Sequence, residues 1–161
     1  LMVFSLSSMV IVLFKTAVPL VLMAALLLKI PLPPDPARWL VFALSFFLGC
    51  LTYFCLEILA GLLAFWTTET RGLATWMNII VAILSGAYLP LWIFPGAIQR
   101  VIAWLPFRGI QYTPLSILVG WAGPEAYPRE LAVQVIWLAI LWLVVEGVFR
   151  LAMRQLKIQG G

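Results

Sequence analysis

Apolar residues run through this chain in long stretches, and its few polar positions fall mostly where those stretches end. Four stretches, at 10–30, 39–66, 73–92 and 131–151, reach the length of about 20 apolar residues that a membrane-spanning helix needs. The proline-rich turn PLPPDPAR at 31–38, a polar hinge at 67–72 and a polar stretch at 124–130 separate them. Lys15 interrupts the first span, and Pro19 would kink it, as membrane helices tolerate. The second is the clearest, apolar but for Glu57 and a few hydroxyls, with Trp39 and Trp66 suited to the two interfaces. The pattern predicts an all-α integral membrane fold: one domain over 1–161, four transmembrane helices, and a short reentrant or interfacial region at 93–123 before the last span.

That region, within the stretch 85–120, breaks the rule of the others. It is equally apolar but carries Pro90, Pro95, Pro106 and Pro114, which one straight helix cannot accommodate. Pro95 suits the first position of a helix, and Ile98, Val101, Ile102 and Leu105 then recur on one helical face. Pro106 ends it and pushes Leu105 towards an extended conformation. The piece from Pro95 to Leu105 is about 16 Å long, too short to cross a hydrocarbon core of roughly 30 Å. A break at Pro106 and a second short segment from Tyr112 are expected. Ile98, Val101, Ile102 and Leu105 should pack on the ends of neighbouring spans, with Arg100 and Arg108 reaching headgroups or water.

Composition supports the membrane assignment. The chain is 65% hydrophobic and 10% charged, against about 25% charged in a soluble domain. A net charge of +4 calls for no nucleic-acid partner, because basic residues gather at span ends. Arg150, Arg154 and Lys157 cluster at the tail with no acid after Glu146, which favours a cytoplasmic C-terminus. The chain opens at Leu1 inside an apolar run, so we expect a native N-terminal part to precede it.

Candidate chemistry is sparse. There is no histidine, which removes histidine bases, His-metal sites and Ser-His-Asp triads. No phosphate-binding loop of the GxxxxGK[ST] type occurs. No catalytic, cofactor or metal residue is expected, and the chain is not expected to be an enzyme. Cys50 and Cys55 point to different helix faces and read as buried thiols. The candidate ionisable groups within spans are Glu57 and Glu146, with Gln134 a further polar residue. A carboxylate there is a functional candidate by default; the plainer account is that it reaches headgroup water or bonds a neighbouring helix. Lys15 could pair with either. Trp92 and Trp104 suit a headgroup level, so aromatic content alone does not argue a substrate surface.

The run SGAYLPLWIFPGAIQRVIAWLPF followed by QYTPLSILVG resembles the C-terminal half of type-2 ATP-binding-cassette (ABC-2) exporter permeases of the bacterial six-span group. The likeness rests on Phe65 and Trp66 closing a span, then on Pro90, Phe94, Pro95, Pro106, Phe107, Tyr112, Pro114 and Gly120 in order. It extends from about Trp39 to Gly161 and is loose over 1–30. The resemblance implies six spans, of which the four here are the third to sixth, with both termini in the cytoplasm. It implies a multi-pass protein of the bacterial inner (cytoplasmic) membrane, and places a reentrant helix pair on the outer side, between the last two spans. It implies two protein partners, a separate ABC ATPase that binds ATP and Mg and a second permease subunit in a homo- or heterodimer. The coupling helix that meets the ATPase normally precedes the third span and is largely absent here.

The function expected from this resemblance is the permease subunit of an ATP-driven exporter working by alternating access. Glu57 is the candidate for the translocation path, and Ile98, Val101, Ile102 and Leu105 for an outer gate. The alternative is an ion- or proton-coupled secondary transporter with Glu57 or Glu146 as the titrating group. Internal inverted repeats would mark that class, and none is visible. An intramembrane enzyme would need a cluster of polar catalytic residues that the sequence does not offer.

Overall fold

The computed structural model describes residues 35–63 and 70–159, and they are helical, with no strand among them. Five α-helices follow one another: α1 (Pro36–Leu63), α2 (Thr70–Leu84), α3 (Gly96–Ile102), α4 (Tyr112–Val119) and α5 (Tyr127–Gln159). Single 3-10 turns at Leu91–Ile93, Pro106–Gly109 and Pro124–Ala126 join the later ones. The expected span at 10–30, with Lys15, lies outside the described residues, as do Phe65 and Trp66.

Helix α1 begins three residues earlier than the tryptophan pattern predicts. Asp35 Oδ1 accepts from the Ala37 amide at 2.9 Å, an N-cap, and Pro36 takes the first position, where its missing N–H costs nothing. Two helical stretches, Pro36–Leu63 and Pro124–Arg154, are long and apolar enough to cross a membrane. Helix α2 is shorter than the expected 73–92 stretch, because it ends at Leu84. Ser85 still bonds back to Val81, but Gly86 turns to φ +86, and the Ala87 and Tyr88 amides both converge on the Ala82 carbonyl at 3.0 Å. Glycine reaches that left-handed conformation without a Cβ clash.

The chain directions follow from three contacts. Tyr53 of α1 meets Asn78 of α2 across a short connection, which makes the pair antiparallel. Ser45 of α1 meets Gln134 of α5, and further along both helices Cys55 and Leu56 share a core with Leu141. Helices α1 and α5 therefore run parallel. Val81 of α2 and Ile110 complete that core, flanked by Tyr53, Phe107, Leu138 and Val145.

Between α2 and α5 the segment 91–126 fills one end of the bundle. Its turn at Gly109 and Ile110 lies against Gly49, whereas Gly120 lies against the Arg38 guanidinium. Helix α4 therefore climbs back along α1 towards its start. Gly49 is about 20 Å along α1 from Pro36 at 1.5 Å per residue, so the turn sits deep beside a helix long and apolar enough to cross a membrane.

Candidate functional site

The broken segment is built as its prolines require. Leu105 is extended (φ −86, ψ 153) before Pro106, which opens a 3-10 turn and is buried. Pro95 (φ −55, ψ 145) caps α3 from just outside, one residue short of the helical position expected for it. Pro90 does the same for the turn at Leu91–Ile93. Gln99 folds back, and its Nε2 donates to the Phe94 carbonyl at 2.7 Å and the Trp92 carbonyl at 3.2 Å. These are carbonyls that no regular helix satisfies. Tyr112 starts α4, Pro114 is buried within it, and Phe107 packs on the core. Gly120 closes α4 at φ +85, where the Ser116 carbonyl takes the amides of both Gly120 and Ala122. A Cβ at Gly120 would be strained there and would also sit 2.9 Å from Arg38 Nη1.

Main-chain groups this deep in an apolar bundle need partners from within the protein. Helix α5 supplies them from one stripe. Glu130, Gln134 and Trp137 stand at i, i+4 and i+7 and share one helical face. Gln134 is 4% exposed. Its Nε2 donates to the Gly109 carbonyl at 2.7 Å and to the Ser45 carbonyl at 2.9 Å, and its Oε1 accepts from the Ser45 hydroxyl at 3.0 Å. Trp137 Nε1 donates to the Trp104 carbonyl at 2.6 Å. Glu130 accepts from Arg108 Nη2 at 3.1 Å and from the Thr113 hydroxyl at 3.0 Å. A small cavity lies among these groups, lined also by Thr52, Ala103 and Val133.

Arg108 therefore does not reach out to headgroups, as the sequence led us to expect. Its guanidinium turns inward to Glu130 and lies 4.9 Å from the centre of the Tyr112 ring. Pairing with a half-buried carboxylate and an aromatic face compensates the charge inside the protein. Arg100 is exposed, as is Arg129, which lies 5.7 Å from the centre of the Trp104 ring.

The four residues singled out as an outer gate divide. Ile102 is 3% exposed and Leu105 half-buried, whereas Ile98 and Val101 are exposed, Val101 at 62%. The first two pack inside the bundle, and the second two look out from α3.

Glu57 and Glu146 occupy different surroundings. Glu57 is half-buried where α1 meets α2, and the Tyr53 hydroxyl lies 3.1 Å from its Oε1 and 2.8 Å from Asn78 Oδ1. One hydroxyl carries one proton, so Tyr53 donates to a single oxygen at a time. Glu146 is exposed and pairs with Arg150 one turn on at 2.9 Å. It stands about 28 Å along α5 from Tyr127, near the far boundary of a hydrocarbon core about 30 Å thick.

Sequence reasoning missed the clamp from α5. Glu130 read as part of a polar connector and Gln134 as an isolated polar residue in a span. The signal was their spacing with Trp137, which places three hydrogen-bonding side chains on one face at the start of an apolar helix.

No curated protein and no solved structure matches this chain. The family model described as ABC-2 family transporter protein matches residues 3–160 of the 161. That match covers both long apolar helices and the proline-broken segment between them. The chain therefore belongs to the ABC-2 transporter family, a family of membrane components of transport.

Proposed function

We propose that this chain is the membrane-spanning permease subunit of an ATP-driven exporter. The observation that carries the proposal is family membership together with the place of the broken segment. That segment sits at the start of α1 and α5, whereas the last turns of those two helices lie at the opposite end. Such a division suits a gate at one end and coupling to an ATPase at the other.

In this reading a separate ABC ATPase binds ATP and Mg, and no residue of this chain performs catalysis. A second permease subunit, identical or related, completes the path. The protein lies in the bacterial inner membrane with its tail in the cytoplasm and the broken segment outside. ATP drives alternating access because the ATPase binds the two permease conformations with different affinity. Ile98 and Val101, exposed on α3, are the gate side chains free to meet the substrate path, and Ile102 and Leu105 hold that helix in place. Glu57 contributes a polar group to the path, oriented by Tyr53.

The test is co-purification of the full-length protein with an ATPase encoded beside it, followed by transport in vesicles. A stable complex whose transport stops when the ATPase loses its Walker A lysine is expected. Transport that persists without any ATPase and follows an ion gradient would replace this reading with a coupled carrier.

A further inference from the structure

We propose that Glu130, Gln134 and Trp137 form a clamp that makes the broken segment a rigid extension of α5 rather than of α1. The segment touches both helices, but the two contacts differ in kind. Towards α5 it is held at three consecutive levels by directional bonds. Trp104 is held through its carbonyl by Trp137, Gly109 through its carbonyl by Gln134, and Arg108 with Thr113 through the carboxylate of Glu130. Towards α1 the segment packs tightly at Gly49, which has no side chain and meets the main chain of Gly109 and Ile110, and at Gly120 against the Arg38 side chain. Directional bonds fix register, whereas a smooth packed seam permits the small sliding of a shear motion.

Ser45 of α1 joins this cluster by bonding Gln134 rather than the segment itself. Losing the Ser45 hydroxyl leaves the bonds from α5 to the segment untouched. Losing Glu130 or Trp137 removes them directly. Glu130, Gln134 and Trp137 are thus positioning residues. If the chain works as the exporter subunit proposed above, its outer end opens by α5 and the segment shifting together against α1. The clamp itself does not depend on that reading, and its test needs no transport.

Spin labels at Val101 on α3 and Ile136 on α5, both exposed, report the distance between segment and helix in the full-length protein in lipid nanodiscs. A narrow distance distribution is expected for the parent chain. Glu130→Ala and the mild Trp137→Phe, each folded by circular dichroism, are each expected to roughly double its width, as a locally released element does. Ser45→Ala is expected to leave the width unchanged. An unchanged width in either clamp variant, or a Ser45→Ala broadening as large as theirs, assigns the segment to its packing on α1 and overturns the clamp. Failure of the exporter reading would leave these widths as expected and show only in the ATPase and transport assays.

Discussion

Gly49 faces Gly109 so closely that a methyl group on Gly49 would sit 2.8 Å from the Gly109 carbonyl oxygen. The same methyl would lie 2.8 Å from the Ile110 carbonyl oxygen, so main chain rather than a flexible side chain blocks it. Gly49→Ala is therefore expected to destabilise the fold by about 1–3 kcal/mol, the usual cost of overpacking. Gly61, on the same helix with nothing within 4 Å of its would-be Cβ, is the control. Gly61→Ala should be neutral or gain a few tenths of a kcal/mol, up to about 1, from helix propensity. Unfolding in mixed micelles measures both, and equal effects would contradict the close approach.

Gln134 satisfies three polar partners with one buried amide. Replacing it by alanine leaves the Gly109 carbonyl without its donor in an apolar bundle. A loss of about 1–3 kcal/mol is expected from the unsatisfied group, towards the lower end if water enters the space. The same unfolding assay reports it, and a neutral Gln134→Ala would mean that the carbonyl finds another donor.

Much of this arrangement was legible before the structure. Prolines announce the broken segment, because Pro106 forces Leu105 to extend and no helix can pass through it. The α1 boundary shifts by three residues, because Asp35 and Pro36 begin a helix as well as they end a turn. The end of α2 was misjudged for a physical reason: an apolar run continues past Ser85, but backbone conformation at Gly86, not hydropathy, decides where the helix stops. The inward turn of Arg108 could not be read, because its partner Glu130 is 22 residues away in sequence (108 against 130) and meets it only through the packing of α5. Gly49 was equally silent, since a glycine in an apolar helix does not say which neighbour approaches it.

Glu57 costs roughly 2.5–3.5 kcal/mol on insertion scales when placed centrally in a span, yet here Tyr53 bonds it near one end of α1. Glu57→Gln should leave expression near the parent level and alter transport or substrate-stimulated ATPase activity. Tyr53→Phe should shift transport in the same direction by a smaller factor, because the carboxylate remains. Transport rates in inverted vesicles, normalised to protein in the membrane, check both. Unchanged transport would leave Glu57 as a polar tie between helices.

The gate is tested at Val101, not at Ile102. Ile102 is buried at 3% exposure, so Ile102→Asp buries an uncompensated carboxylate and is expected to lower the yield of folded protein. Val101→Asp changes only an exposed side chain. It should fold, bind the ATPase and export more slowly. Wild-type export by Val101→Asp would remove the gating role while leaving the geometry of α3 intact.

A cytoplasmic tail is expected to hide Gln159→Cys from membrane-impermeant thiol reagents applied to intact cells. Labelling should appear only after permeabilisation. Labelling from outside would invert the orientation proposed for every helix.

The return of α4 towards Arg38 has a consequence for counting crossings. An element that enters and leaves through the same face contributes zero to the parity of the chain, however apolar it is. The starts of α1 and α5 thus share a side, as their parallel course requires. Scoring 85–120 as one more span would change an even number of reversals into an odd one. Every residue from Tyr127 onward would then be assigned to the wrong compartment, by a single error made at four prolines.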